Sequence, residues 1–182
     1  MDPNRLTTGE KLLGASALVL FISSFLSMWG KVSVSADLPP GVPDDVLSSA
    51  ETNFSLWDGY GILPKLGVLI ALLLVIAVIA KAAGALDNVS MPAPLGLVYL
   101  GGAAIIVITM LIALLAGPEG DNEVEGFGAT VELERGLLLY LGIVLAIVTA
   151  IGAFLHMQGE GSTPKAAAGP AAGPPPSRPP GT

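Results

Sequence analysis

Polar segments alternate with four long apolar stretches along the chain, at residues 12–29, 62–80, 95–116 and 136–155. Each stretch is close to the ~20 residues that an α-helix needs to cross a hydrocarbon core. Lys65 is the only charged residue inside any of them. Residues 66–80 contain eleven Leu, Ile or Val residues, which together favour insertion by about 3 to 6 kcal/mol. The pattern predicts four membrane spans.

Local signals place the ends of the predicted helices. Thr7 and Glu10 match the capping box, in which the hydroxyl and the carboxylate each satisfy a free backbone N–H. Pro64 falls in the first turn of the second helix, and Gly117-Pro118 is a stop signal after the third. The short segment between these two helices predicts that they are antiparallel neighbours. The predicted spans are about 8–29, 62–83, 95–116 and 136–156, and the outer loops are 30–61 and 117–135.

The two outer loops carry strand signals, and the C-terminal segment carries none. Residues 32–35 and 130–134 alternate apolar with polar side chains, a period typical of strands. Residues 54–57 alternate more weakly. The fold class predicted is an all-α membrane protein: a four-helix transmembrane bundle over residues 1–157, with a small extracellular β-sheet formed by the outer loops. Residues 158–182, rich in Gly, Pro and Ala, are predicted to be a disordered cytoplasmic tail.

Composition and charge narrow the class of protein and its orientation. The net charge of −7 argues against nucleic-acid binding, and the absence of cysteine excludes disulfides and thiolate metal sites. With both termini cytoplasmic, five basic residues lie inside and three outside, in the direction of the positive-inside rule. This predicts a multi-pass protein of the cytoplasmic membrane with a strongly acidic outer face. Cleavage of the first span as a signal peptide stays open, because residues 34–36 resemble a cleavage site.

The second outer loop suggests one metal site. Its spacing fits the template of a calcium-binding loop, with Asp121, Glu123, Glu125 and Glu132 as candidate ligands. Glutamates at two of these positions are bulkier than the usual ligands, and the downstream flank is extended rather than helical. A solvated acidic loop is therefore the alternative interpretation, and no metal or other cofactor is assigned.

Polar groups within the spans are few and unreactive. The mid-span positions carry only hydroxyls, which in a helix return a hydrogen bond to a carbonyl one turn back; these are Ser16, Ser23, Ser24, Thr109 and Thr149. The single histidine, His156, is expected to cap carbonyls at the end of the fourth span or to lie at the headgroups. The sequence contains no set of residues that supplies a nucleophile and a base, so we expect the protein not to be an enzyme.

Two sets of residues are candidates for contacts with other proteins. Small residues recur at four-residue spacing in the fourth span, which lets helices approach closely; these are Gly142, Ala146 and Ala150. They serve contacts inside the bundle or an interface with a homo-oligomer or partner. Aromatic and acidic residues near the membrane surface are the candidates for partner binding or for interfacial anchoring; these are Phe54, Trp57, Asp58 and Tyr60.

Three segments carry a family resemblance: residues 5–11 (RLTTGEK), 21–29 (FISSFLSMW) and 53–59 (NFSLWDG). They resemble small, largely uncharacterised four-span membrane proteins of actinobacteria, in which a short L-[ST]-x-G-E segment leads into a first helix ending in F-L-x-W. The resemblance implies a place in the cytoplasmic membrane and no particular activity. Met28 stands where such proteins often have proline. The architecture is also analogous to that of claudin-type tetraspan proteins, although this chain lacks their loop disulfide.

Three functions remain open from the sequence. The first is a non-enzymatic scaffold or accessory subunit that presents its acidic outer face to a membrane-protein partner. The second is a small channel or transporter for a neutral or lipidic solute, which predicts that Ser23, Ser24 and Thr109 face a common cavity. The third is an envelope sensor whose acidic loop binds a cation.

Overall fold

The computed structural model describes residues 6–36, 50–86, 89, 93–119 and 129–161, which are mostly helical with one small sheet. The elements, in chain order, are α1 (Thr8–Ser23), β1 (Gly30–Ala36), β2 (Ala50–Phe54), α2 (Leu56–Gly59), α3 (Ile62–Ala82), α4 (Leu95–Ala116), β3 (Ala129–Arg135) and α5 (Leu137–Gly161). The limits of α3 and α4 agree with the predicted spans, and the capping box of Thr7 and Glu10 is present at the start of α1.

The four long helices pack side by side in a ring. Helix α1 contacts α3 and α5, and α4 contacts the same two helices from the other side. Gly67, near the start of α3, lies against Thr109, near the end of α4, while Gly102 lies against Leu74. Helices α3 and α4 are therefore antiparallel neighbours, as predicted.

Three of the described helices, α3, α4 and α5, are long and apolar enough to cross a membrane. Helix α1 is shorter, with 16 residues, or about 24 Å of helical rise. The prediction that α1 continues to Trp29 is wrong. Ser24 N–H donates to the carbonyls of Leu20 and Phe21 in a closing turn, and the Trp29 indole Nε1 donates to the Ser23 carbonyl at 2.6 Å. These bonds fold the chain back onto the end of α1.

The fourth predicted span is longer than expected. Helix α5 ends at Gly161 instead of residue 156, so the predicted boundary of the tail at residue 158 falls inside a helix. Apolar length sets only the part of a helix that crosses the hydrocarbon, and the backbone hydrogen bonds continue past it. Residues 162–182, which hold most of the predicted tail, lie outside the described part of the chain.

The strands β1, β2 and β3 form one antiparallel sheet in the order β2-β1-β3, which confirms the prediction of a small sheet. The register pairs Gly30 with both Phe54 and Arg135. The predicted alternation does not continue past Phe54. The N–H groups of Asp58 and Gly59 both donate to the Ser55 carbonyl, and the chain turns into α2.

Glycines bring α1 and α5 into backbone contact. A Cβ atom at Gly9 would lie 2.6 Å from both the Gly152 carbonyl oxygen and the His156 nitrogen, and one at Gly152 would lie 2.6 Å from the Leu13 nitrogen. A hydrogen bond of 2.8 Å joins the Ser16 and Thr149 hydroxyls two turns along. Small residues thus permit direct backbone contact between α1 and α5.

We expect Gly9→Ala to lower the free energy of unfolding by about 1–3 kcal/mol, because α1 and α5 must separate to admit the methyl group. Gly101→Ala is the matched control: no atom lies within 4 Å of a Cβ built there, so alanine should stabilise α4 by up to ~1 kcal/mol. Unfolding in detergent, followed by circular dichroism, measures both. Equal shifts of the same sign would contradict the close contact.

Candidate functional site

Polar residues from distant parts of the chain meet at the two ends of the bundle. At one end, Thr7, Glu10, Lys81, Tyr99 and His156 form what we call the Glu10 cluster. At the other end, where the sheet lies, Trp29 is surrounded by Ser23, Phe54, Tyr60 and Gly142, the Trp29 junction.

The Glu10 cluster joins the start of α1 to the ends of α3 and α5. The Glu10 carboxylate is ion-paired with Lys81 Nζ, and its Oε1 lies 3.7 Å from His156 Nε2. Its other oxygen accepts the backbone N–H of Thr7 at 2.8 Å. The Thr7 hydroxyl lies 3.2 Å from His156 Nδ1, and the His156 and Tyr99 rings are 5.3 Å apart.

The helix dipoles favour this arrangement of charge, and burial makes the pairing of the carboxylate necessary. Glu10 and His156 are fully buried, while the Lys81 side chain keeps 25% of its surface exposed. The carboxylate lies in the first turn of α1 and the ammonium in the last turn of α3, where each charge is stabilised by the helix dipole. A buried charge needs such pairing. The cluster therefore ties three helix ends together through one carboxylate.

Sequence reasoning did not predict this cluster. His156 was expected at a helix end or at the headgroups, and it is instead buried against α1. The available signal was topological: in the predicted orientation Glu10, Lys81 and His156 all lie at the inner ends of their spans. Which side chains face inward depends on the rotation of each helix, and the hydropathy pattern does not specify that rotation.

The Trp29 junction holds the sheet on the bundle. Trp29 is fully buried. Its carbonyl accepts hydrogen bonds from the Tyr60 hydroxyl at 3.0 Å and from the Gly136 N–H at 2.8 Å. A Cβ atom at Gly142 would lie 2.7 Å from the indole ring. The ring therefore sits in a notch on α5 where a larger residue would not fit.

The four candidate partner residues occupy different environments at this end. Phe54 and Trp57 are half-buried and pack against the core, and the Trp57 ring stacks on Phe25 with centroids 5.6 Å apart. Asp58 is exposed and accepts a hydrogen bond from Ser55 Oγ at 2.5 Å. Tyr60 is only 2% exposed. Their binding of a partner stays a prediction.

Burial raises the pKa of Tyr60, which precedes α3, to about 12. The unfolded phenol ionises near pH 10, so between these values the folded chain keeps a proton that the unfolded chain releases. The contribution of the Tyr60 phenol to the stability of the folded chain is therefore complete below pH ~10 and is lost as the pH rises toward 12. A shift of this size corresponds to about 2–3 kcal/mol.

We expect Tyr60→Phe to abolish this alkaline loss of stability and to cost about 1 kcal/mol at neutral pH, the value of one hydrogen bond. Unfolding of both proteins in detergent across pH 9–12 tests it. Tyr140→Phe is the control, because the Tyr140 side chain is half exposed and contributes less than burial to the raised pKa of Tyr60; it should change the alkaline profile much less than Tyr60→Phe does. An identical profile for Tyr60→Phe and the parent protein would contradict the prediction.

One face of the sheet is acidic. Glu51, Ser33 and Glu132 are paired across the three strands, and Lys31 and Glu134 are paired in the adjacent row on the same face. The three glutamates are exposed. Lys31 lies 3.4 Å from Glu51 and offsets one of the three carboxylates.

The mid-span hydroxyls are bonded within the bundle. Ser16, Ser23, Ser24, Thr109 and Thr149 each donate to a backbone carbonyl about one turn back, as predicted. Two cavities bordered by described residues lie beside α3, one against α4 and the other against α1, and none of these five hydroxyls lines either cavity. Ser23, Ser24 and Thr109 therefore share no wall in either of these two cavities.

The remaining candidates divide between described and undescribed residues. Asp121, Glu123 and Glu125 lie outside the described part of the chain, and Glu132 is an exposed residue of β3. Among the described residues no group of three metal-ligating side chains occurs. Ala146 is fully buried, and Gly142 contacts Trp29. Ala150 is half-buried against the core.

Comparisons of the chain with protein-family models, with curated proteins and with solved structures find no match. The class of the protein therefore comes from its helices: with three candidate spans it is a multi-pass membrane protein. The resemblance to four-span actinobacterial proteins stays a prediction.

Proposed function

We propose that the chain is a non-enzymatic scaffold or accessory subunit of a membrane-protein assembly. The observation that carries the proposal is the three-stranded sheet at one end of the bundle, whose exposed face bears Glu51, Glu132 and Glu134. An acidic face of this kind is complementary to a basic surface on a partner. The sheet also has two edge strands, β2 and β3, and sheet edges accept added strands.

The proposed orientation has four spans, both termini in the cytoplasm and the sheet outside. Helix α1 packs along α3 and α5. Because those two helices are candidate spans, this packing supports counting α1 as a span that lies beside them in the bilayer. In this orientation five basic residues, Lys11 and Lys81 among them, lie on the cytoplasmic side and three lie outside, which supports the orientation through the positive-inside rule.

Single cysteines test the orientation directly, because the chain has no native cysteine. We expect Glu132→Cys to react with a membrane-impermeant maleimide in intact cells, and Lys11→Cys to react only after the cells are opened. The reverse pattern would overturn the orientation.

Cross-linking and co-purification from native membranes test the function. We expect a stable companion protein that is lost from the double variant Glu132→Gln/Glu134→Gln. Glu119→Gln is the matched control, since Glu119 is an exposed acid at the same end that is not on the sheet. A protein that is recovered alone after cross-linking, or a companion lost equally from all variants, would overturn the proposal.

A further inference from the structure

A groove runs along the outside of the bundle between α1 and α3, on the surface away from α4 and α5. Its volume is about 290 Å³, near the lower end of the ~300–1,000 Å³ of small-molecule sites. Aliphatic side chains form its walls, including Leu18, Val75 and Ile79. Leu18 and Ile79 are each 43% exposed. In a membrane this groove therefore opens toward the lipid.

Small residues on α1 create the groove. Gly14 and Ala15 form its floor, and a Cβ atom at Gly14 would lie 3.1 Å from Val78. The exposed methyl group of Ala15 leaves the space above it open. Along α1 the lining extends from Glu10 to Leu18, which is about 12 Å of helical rise.

The mouth of the groove is positively charged. Glu10 and Lys11 both line it, but the Glu10 carboxylate is ion-paired with Lys81. Lys11 is exposed and makes no ion pair with any described residue. The Lys11 ammonium, which pairs with no described residue, thus lies at the end of the apolar groove. The second ammonium nearby, that of Lys81, is paired with the Glu10 carboxylate.

We propose that this groove binds one acyl chain of an anionic phospholipid, with the lipid phosphate on Lys11. The aliphatic walls match a hydrocarbon chain and offer a polar solute no hydrogen bond along their length. The exposed cation selects a negative headgroup over a zwitterionic one. Basic residues at the membrane surface attract anionic lipids with ~1 kcal/mol each, which corresponds to about fivefold in affinity.

Native mass spectrometry of the full chain released from nanodiscs tests the proposal, with phosphatidylglycerol and phosphatidylcholine as the two probes. We expect the parent protein to retain phosphatidylglycerol in preference. Lys11→Gln should lower that retention about fivefold and lower retention of phosphatidylcholine clearly less, because the choline ammonium offsets the charge of its phosphate. Lys65→Gln, at the opposite end of α3, is the matched control and should change neither.

A second pair of variants tests the groove itself. Ala15→Phe should fill the groove and lower retention of both lipids, whereas Ala104→Phe, which adds the same ring to an exposed alanine of α4, should not. Circular dichroism of both variants verifies the fold, and the Lys11→Gln result stands if Ala15→Phe unfolds. Equal loss from Lys11→Gln and Lys65→Gln would overturn the proposal. Full lipid retention by folded Ala15→Phe would also overturn it. This holds even if that variant changes the oligomeric state of the protein.

Discussion

Replacing Glu10 with alanine is expected to lower the free energy of unfolding by about 3 kcal/mol. Breaking a buried ion pair by removing one partner typically costs about 3–5 kcal/mol, because the other charge is left uncompensated. The lower end applies here, since Lys81 keeps 25% of its side-chain surface exposed and its long stem can carry the ammonium toward water or headgroups. Chemical unfolding in detergent, followed by circular dichroism, measures the loss.

Partial replacements separate the charge from the helix cap. Glu10→Gln keeps an amide that can close the capping box with Thr7, so it should cost less than alanine. The double variant Glu10→Gln/Lys81→Met removes both charges and should be less destabilised than the sum of its single variants. Glu51→Gln, which breaks the exposed pair with Lys31, should have little effect. Equal losses from Glu10→Ala and Glu51→Gln would contradict the role assigned to the cluster.

The helix and strand boundaries that were predictable from the sequence are those set by interactions between residues close together in the chain. Apolar length defined α3 and α4 within one residue, because the hydrocarbon core fixes the length of a span. The capping box located the start of α1, and the period-2 alternation located parts of β1 and β3. Each of these signals acts over a few neighbouring residues, so a single sequence contains it in full.

The parts that sequence reasoning missed depend on tertiary contacts. Residues 24–28 carry no charge, yet α1 stops at Ser23, because the Trp29 indole donates to the Ser23 carbonyl and the Leu56 N–H donates to the Ser24 carbonyl in the turn that follows. The Glu10 cluster joins residues that are more than 70 positions apart in the chain. Neither the bonds at the end of α1 nor the Glu10 cluster produces a pattern among neighbouring residues. Hydropathy therefore predicted the helices and missed the polar contacts at the two ends of the bundle.

The Trp29 junction is the point where the sheet depends on the bundle. Trp29 immediately precedes β1, which is the central strand, and its backbone carbonyl accepts from Tyr60 and Gly136. Gly136 follows β3 directly, so one residue connects α1, the sheet and the start of α5. Loss of the indole should therefore loosen the sheet as well as the core.

We expect Trp29→Ala to lower the free energy of unfolding by about 3–5 kcal/mol, the range for deleting a large buried ring, and to make the strands of the sheet more accessible to protease. Trp57→Ala is the matched control: its ring is half-buried and stacks on Phe25, so the cost should be clearly smaller. Trp29→Phe keeps an aromatic ring but loses the hydrogen bond to the Ser23 carbonyl. Its loss of unfolding free energy should lie between those of Trp29→Ala and Trp57→Ala. Equal losses from Trp29→Ala and Trp57→Ala, with unchanged proteolysis, would mean that the sheet is held by its strand pairing alone.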